Sequence, residues 1–334
     1  MRRLIWIILF LAILWCAWWA VFGWGLKSAL DVWFEDRRTD GWQADYATLE
    51  LRGFPTRVQA DMTDIVLADT VSGLVMNLPD LTIGAPTHWP GDVTLSLPSD
   101  PISFVSPQGR STLQVLDAVA DLQLHPGPSL ELERISAIAG EWSLRSGTQA
   151  VLSAQDLTLT MDQNDTSTNT YKFVAQATDL RPGEIPRSAL RLPTDWPVAF
   201  DTFTVNGDVT FDKPWDLSAI EKARPQPRVV NLKLAEAAWS DLRLFFAAEL
   251  IIDESGSPTG TINIQAENWQ VMLDLAEHSG ALPSALRQHV ESGLSTLARF
   301  SGDPSALDVQ MNLRGGLMFV GFIPIGPAPK IILR

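Results

Sequence analysis

Apolar residues run without interruption from Leu4 to Phe22, directly after Met1-Arg2-Arg3. The run contains no charged, proline or amide residue. As a helix it would extend about 28 Å, close to the hydrocarbon thickness of a bilayer. Because basic residues favour the cytoplasmic end of a span, the pattern predicts residues 1–3 in the cytoplasm, a single transmembrane anchor over residues 4–24, and the rest of the chain beyond the membrane.

A cleaved signal peptide is the alternative for this run. Signal peptides have shorter apolar regions and small residues at the cleavage site. Here bulky side chains fill that region, and Cys16 lacks the small preceding residue that a lipoprotein signal requires. We therefore favour an uncleaved anchor, whose outer end places indole rings in the interfacial aromatic belt. The bulky residues are Trp15, Trp18, Trp19, Phe22 and Trp24.

Helical spacing continues just after the apolar run. Leu26, Leu30, Trp33 and Phe34 recur every three or four positions among charged residues. This pattern predicts an amphipathic linker helix over residues 25–41. Such a helix would lie on the membrane surface or cap the domain that follows.

From Trp42 onward, apolar positions alternate with polar ones, and short turn sequences separate the alternating segments. Parallel strands would need crossover helices, which most of this region lacks, so we expect antiparallel strands. Residues 42–67 form a predicted hairpin with a bulge near Ala47-Thr48, where the apolar phase slips by one residue. The predicted fold class is mainly β, with a large antiparallel, curved or meandering sheet over residues 42–334.

One later segment departs from the alternation. Apolar residues recur every three or four positions between Leu282 and Phe300, with a proline at the second position. We therefore predict one amphipathic helix near 282–300 that covers part of the sheet. The aromatic residues predicted to be largely buried are Trp142, Phe173, Phe203, Phe246 and Trp269.

Prolines concentrate at residues 182–197 and interrupt the strand pattern. They are consistent with two β-rich halves, 42–181 and 198–334. A long loop on one continuous sheet explains the same prolines equally well, so both organisations stay open.

Composition narrows the classes of function. The formal net charge of −14 argues against a nucleic-acid surface or a polybasic membrane patch. Cys16 is the only cysteine and lies inside the predicted anchor. An intramolecular disulfide and a cysteine-ligated zinc site are therefore excluded.

No catalytic or metal-binding motif is recognisable in the sequence. His278 and His289 could share a helix face, but about 16 Å apart along its axis, too far to share a metal. His88 and His125 lie beside turn sequences. Residues 162–166 resemble part of a calcium loop without its glycine and closing glutamate. We predict no catalytic residue, no cofactor and no metal site, although a site assembled from distant residues would leave no local motif.

Residues 243–252 are predicted to form a strand with two apolar faces. The residues of one face are Leu244, Phe246, Ala248 and Leu250, and those of the other include Phe245, Ala247 and Ile251. The first set is the candidate lining of an apolar groove that would shield acyl chains. The alternative, which the pattern favours, is a strand buried between sheet and helix.

Three segments together resemble a known family. They are the N-terminal span with its tryptophans, the block from Gly41 to Arg57 with its Arg-Gly-Phe-Pro turn, and residues 315–329, which end in Pro-Ile-Gly-Pro-Ala-Pro. The set resembles the domain of unknown function 2125, an uncharacterised bacterial envelope family, over nearly the whole chain. That resemblance implies no activity and no catalytic residue. The architecture is also similar to that of AsmA-like envelope proteins, which are linked to lipid and outer-membrane homeostasis, but this is an analogy of design alone.

These features lead to three hypotheses for a single-pass protein of the bacterial inner membrane, anchored through residues 4–24 with its C-terminal domain in the periplasm. The first is a non-catalytic envelope protein that binds or shields lipid in an apolar β-groove. The second is a structural module for envelope partner proteins, and the third is an envelope hydrolase with an unrecognised site. None of them involves nucleic acid.

Overall fold

The computed structural model describes residues 2–107, 109–194, 196–221, 223–280, 282–301 and 305–333. This part of the chain is mainly β, its strands pair antiparallel, and a long apolar helix precedes them, which confirms the predicted fold class.

The chain divides into two compact units. The N-terminal unit comprises Met1–Gly140 with Leu144–Gly147, and the C-terminal unit comprises Glu141–Ser143 with Thr148–Arg334. The division therefore falls about forty residues before the proline-rich segment at 182–197.

The first element, α1, is one continuous helix over Arg2–Thr39. At about 1.5 Å per residue it is roughly 57 Å long. It joins the predicted anchor and the predicted linker helix without a break. Its most apolar stretch has a mean hydropathy of 2.5 and none of it is buried, whereas Gly23 and Phe34 further along are buried.

Nine strands of the described N-terminal unit follow α1. They are β1 (Trp42–Asp45), β2 (Thr48–Arg52), β3 (Arg57–Asp69), β4 (Leu74–Pro86), β5 (Asp92–Ser96), β6 (Ile102–Ser106), β7 (Gly109–Val115), β8 (Val119–Leu124) and β9 (Leu132–Ala139). Strand β3 pairs with β1, β2 and β4, and β4 pairs also with β5 and β6. Strand β5 also pairs with β8, which pairs with β9, and β6 pairs with β7.

The predicted hairpin over residues 42–67 is present, but without the predicted bulge. Asp45 pairs with Val66 and Thr48 pairs with Thr63, so two residues lie between the paired positions on each strand. Asp64, on the β3 side of this break, adopts a positive φ of 51°. The ladder is therefore interrupted at the predicted place, but neither strand gains the extra residue that defines a β-bulge, so the bulge itself was a wrong prediction.

Helix α1 supplies one wall of the core in the N-terminal unit. Phe34 is 3% exposed and packs with Ala44, Met62 and Ile65 of the sheet. The Tyr46 hydroxyl donates a 2.5 Å hydrogen bond to the Asp31 carboxylate of α1. The amphipathic part of α1 therefore caps the sheet, one of the two roles considered for it.

The strands after the division continue as a meander. They are β10 (Trp142–Ser146), which lies at the division itself, β11 (Gln149–Ala154), β12 (Leu157–Asn164), β13 (Ser167–Ala177), β14 (Arg181–Pro182), β15 (Thr202–Phe211), β16 (Pro227–Trp239), β17 (Leu242–Ile252), β18 (Pro258–Glu267), β19 (Ala306–Arg314), β20 (Leu317–Val320) and β21 (Ile323–Pro327). Strands β12, β13 and β15 to β21 pair in succession, and β14 pairs with β11.

Helices interrupt this meander at several places. They are α2 (Glu184–Ala189), α3 (Ser218–Glu221), α4 (Trp269–Ser279) and α5 (Ser284–Ser301). Helix α5 confirms the predicted helix near 282–300. Helix α4 was not predicted, although Trp269, Met272, Leu273 and Ala276 have helical spacing.

Only one of the five predicted core aromatics is fully enclosed. Trp269 is 1% exposed and packs with Leu273, Ala298 and Leu307 beneath α5. The other four are partly buried, so the prediction of largely buried side chains holds in full only for Trp269; Trp142 and Phe203 pack against buried Ala154, Ala177 and Leu180 instead. These four are Trp142, Phe173, Phe203 and Phe246.

Candidate apolar cleft of the C-terminal unit

The four groove residues predicted from the sequence lie on one face of β17, here called the even face. Leu244 and Phe246 are partly buried, whereas Ala248 and Leu250 are only 6% and 7% exposed. The even face is thus covered unequally along the strand.

Helices cover the end of β17 that carries Leu244. This side chain packs against the cluster around Trp269, in which Ala298 of α5 is fully enclosed. Helix α4 begins two residues after the end of β18. Because almost no loop separates them, the position of the strand fixes the start of the helix over the sheet.

The C-terminal tail covers the other end of β17. Ala248, Leu250 and Leu313 are buried with Ala328 and Ile331 of the tail packed against them. The Ile331 amide donates a 2.9 Å hydrogen bond to the Gly256 carbonyl. Gln226 exchanges two further hydrogen bonds with the backbone of Leu333, at 2.8 and 3.0 Å. This half of the predicted groove is therefore closed by the chain itself.

An apolar cleft opens beside Leu244. It has a volume of about 380 Å³, and among the described residues that line it only Ser279 carries a hydroxyl. Strands β16 and β17 form its floor, α4 forms one wall, and the segment after α2 supplies the rest. Its main lining side chains are Leu190, Phe200, Trp239, Leu244, Met272 and Leu275.

Aromatic packing fixes the wall of this apolar cleft. The Trp239 ring stacks on Phe200 with centroids 4.6 Å apart, and Trp196 meets it edge-on at 5.8 Å. The Trp239 indole N–H donates a 3.0 Å hydrogen bond to the Pro197 carbonyl. Because this polar group is satisfied within the wall, the rings present an apolar surface to the cleft.

An ionic clamp holds the helical wall. The Arg287 guanidinium of α5 lies 2.6 Å from the Asp274 carboxylate and 2.7 Å from the Glu277 carboxylate of α4. The hydrogen bonds to Glu277 and Asp274 raise the pKa of Arg287 above its ordinary value. The three side chains of the clamp are not among those that line the cleft. The clamp therefore holds α4 against α5 without placing a charged group in the cleft.

A second cavity, of about 440 Å³, has a different chemistry. Its lining includes two rows of paired residues on the opposite face of the sheet, one from Phe245 through Gln265 to Asp308, and the other from Ala247 through Asn263 to Gln310. Amide and carboxylate groups therefore share this surface with apolar ones. It suits an aqueous or polar contact better than an acyl chain.

The four histidines are not among the described residues that line the apolar cleft. His88, His278 and His289 are exposed, and His125 lies 3.8 Å from Glu133. In the part of the chain that the structure describes, no group of three or more histidine, cysteine or acidic residues is placed to hold a metal ion.

The family model described as "Uncharacterized protein conserved in bacteria (DUF2125)" matches residues 19–329. The chain belongs to the DUF2125 family. No curated protein matches it significantly. The DUF2125 match begins at Trp19 within α1 and includes the apolar cleft, α4, α5 and the tail residue Ala328. The resemblance to the domain of unknown function 2125 that was stated from the sequence is confirmed, whereas the match says nothing of AsmA-like proteins.

Sequence reasoning identified one lining residue of the cleft and missed the others. Leu244 was predicted, but Trp239, Phe200 and Met272 were not. Met272 belongs to a helical repeat that begins at Trp269, a usable signal. Leu190 lies in the proline-rich segment and Phe200 just after it, where no periodicity indicates that they approach a strand so much later in the chain.

Proposed function

We propose that this DUF2125 protein is a membrane-anchored, non-catalytic envelope protein that binds a lipid acyl chain in the apolar cleft of its C-terminal unit. The cleft itself carries the proposal. Its volume of about 380 Å³ and its apolar lining with a single hydroxyl suit an alkyl chain. Small-molecule sites of about 300–1,000 Å³ bury most of a ligand's surface.

The energetics of such a site are favourable. Each methylene removed from water contributes about 0.8 kcal/mol, so ten enclosed methylenes contribute about 8 kcal/mol before ordering costs. None of the described residues that line the apolar cleft carries a titratable group that would penalise an apolar ligand. Affinity should therefore depend on shape and apolar area, and hardly on pH.

Helix α1 supports the anchoring part of the proposal. Its apolar stretch is unburied, while the same helix continues to Phe34 in the core of the N-terminal unit. Cleavage within a helix that forms part of a core would remove a wall of that core. With arginines before the span, the proposed location of the β-rich units is the periplasm.

Photocrosslinking tests the lipid site in intact cells. A benzophenone amino acid at Met272, which lines the cleft, should form a covalent adduct with lipid that mass spectrometry detects on the purified full chain. The same amino acid at Gln270, exposed on the same helix, is the matched control. Adduct at position 272 in clear excess over position 270 supports the proposal. Equal labelling, or none at 272, would count against it.

Protein binding is a second candidate function, supported by the hairpin of β20 and β21. Phe322 at its turn is 94% exposed and Ile323 is 68% exposed, an unusual display of large apolar side chains. If the hairpin binds an envelope protein, Phe322→Asp should abolish complementation of a deletion strain under envelope stress. Lipid adduct at Met272 should then persist, which separates the two functions.

A further inference from the structure

Three indole groups of α1 bind backbone carbonyls of the N-terminal unit. The indole N–H of Trp15 donates to the Pro55 carbonyl at 2.9 Å, that of Trp18 to Thr87 at 2.9 Å, and that of Trp19 to Arg57 at 2.7 Å. All three tryptophans belong to the apolar run that ends at Phe22. The β-rich part of the unit therefore contacts the membrane-spanning part of the helix.

The contacted loop is a tight turn over residues 53–57, here called the docked turn. Gly53 has a φ of +92°, and a Cβ at this position would lie 2.8 Å from the Arg57 carbonyl oxygen, so only glycine fits. The Phe54 ring meets Trp19 edge-on at 5.5 Å, yet it remains 55% exposed. The turn is thus fixed against α1 while its tip presents an apolar side chain outward.

The positions of the three tryptophans along α1 determine how deep the docked turn would lie in a membrane that the helix spans. Trp15 precedes Phe22 by seven residues, about 10 Å along the helix axis. Residues Leu4 to Leu14 precede the first of these hydrogen bonds, and as a helix they are only about 16 Å long, roughly half of a hydrocarbon core. A span of full length therefore requires that the residues from Trp15 to Phe22 lie within the membrane, and the docked turn lies beside them.

We propose, on the basis of the membrane anchor in the proposed function, that the docked turn inserts into the outer leaflet of the membrane that α1 crosses, with Phe54 at its tip and phospholipid as its partner. The hydrogen bonding fits this setting. Backbone carbonyls in a lipid environment cannot be solvated by water, and the indoles satisfy those of Pro55, Thr87 and Arg57. Pro55 also has no amide hydrogen to satisfy.

One arginine beside Phe54 fits a headgroup contact. Arg57, at the end of the docked turn, is exposed. Arg52, just before the turn, is exposed too, but its guanidinium pairs with the Glu50 carboxylate at 2.8 Å and lies 3.5 Å from that of Asp61. A long arginine side chain can extend toward the headgroups while an adjacent apolar ring enters the acyl region. Phe54 and Arg57 thus match the acyl and headgroup layers of the leaflet.

Spin-label accessibility on the full chain measures this insertion. The protein carries Cys16→Ser and a single labelled cysteine, in nanodiscs of phosphatidylethanolamine and phosphatidylglycerol. A label at Phe54→Cys should collide several-fold more with oxygen than with a water-soluble nickel chelate. The matched control is Val71→Cys, which is 93% exposed at the β3–β4 turn, the end of the hairpin remote from the docked turn. There the chelate should dominate.

A third label separates this inference from the proposed function. A label at Leu9→Cys reports the span itself. Protection from the chelate at positions 9 and 54 but not at 71 supports insertion. Protection at 9 alone overturns the inserted turn and leaves the anchor standing, while the lipid adduct at Met272 is measured independently. Chelate access at all three positions would overturn both the turn and the anchor.

Discussion

The two units cover their sheets in opposite ways. In the N-terminal unit one continuous helix supplies Leu30, Trp33 and Phe34 to a core that buries Met62 at 1% exposure. In the C-terminal unit the even face of β17 is covered by two separate pieces, the α4–α5 pair and the C-terminal tail. The apolar cleft opens beside the first of them.

Because of this difference, we expect the covered face of the N-terminal unit to contribute mainly to stability and that of the C-terminal unit to offer a binding surface. Under the unbroken helix Phe34 and Met62 are almost fully enclosed, and such close packing leaves little space for a ligand. A face covered by short elements held by an ionic clamp and a few tail hydrogen bonds leaves apolar surface accessible. The variants below test whether the two faces really differ in this way.

The largest expected effect is the loss of a buried ring in the closed core. Phe34→Ala should lower the free energy of unfolding by about 3–5 kcal/mol, since Phe34 is 3% exposed. The matched substitution Phe246→Ala, at a partly buried position, should cost less than about 2 kcal/mol. Chemical denaturation of the full chain in detergent, monitored separately for each unit, compares them. Equal losses would remove the distinction between the two faces.

The next prediction concerns a substitution in the apolar cleft that should affect lipid binding more than the free energy of unfolding. Ala276→Phe places a ring into the apolar cleft from α4 and should abolish lipid adduct at Met272. Because the ring fills space that is already empty, stability should change by less than about 1.5 kcal/mol. Gln270→Phe adds the same ring on the exposed side of α4 and should leave adduct formation intact. A large destabilisation by Ala276→Phe would show that this wall is packed like the other core.

Local sequence patterns predicted most helices and strands, but they did not predict which distant segments of the chain cover the sheet. The break in the first ladder beside Ala47 and helix α5 were recognisable, because the apolar period and its phase can be read from consecutive residues. The cover over Leu250 was not, since Ile331 lies some eighty residues away and no local signal links the two. Helix α4 was missed because it follows β18 directly, through Asn268 at a positive φ of 56°, without a loop to mark its start.

The same reasoning explains the site. Leu244 was predicted as lining because both faces of its strand are apolar. Ala248 and Leu250 carry the same pattern, yet the tail covers them, while Ile251 on the opposite face is 67% exposed. Apolarity on both faces of this strand therefore showed neither which face is covered nor what covers it.

A smaller effect concerns the bond between α1 and its sheet. Tyr46→Phe removes the hydrogen bond to Asp31 and should cost the N-terminal unit about 1 kcal/mol. That hydrogen bond and burial raise the pKa of Tyr46 above its ordinary value of 10.0. Its stabilisation is therefore complete below the unfolded pKa and is lost as pH rises through the folded one. The wild-type unit should lose stability in alkali faster than Tyr46→Phe does. Parallel pH curves would show that the bond is absent in solution.

The smallest effect is expected from the histidines. His88, His125, His278 and His289 do not line the apolar cleft, so replacing each with alanine should leave complementation under envelope stress unchanged. Expression of each variant is the control. Loss of function from one well-folded variant would favour the hydrolase hypothesis over lipid binding.

The continuity of α1 has a mechanical consequence. A flexible linker would let a domain rotate independently of its anchor. Helix α1 instead runs unbroken from Arg2 to Thr39 and packs into the core of the N-terminal unit, so the two must change orientation together. Helices respond to thicker or thinner bilayers by changing their inclination. If α1 spans a membrane as proposed, any such change of inclination would tilt the N-terminal unit through the same angle, and local bilayer thickness would then set the orientation of its sheet.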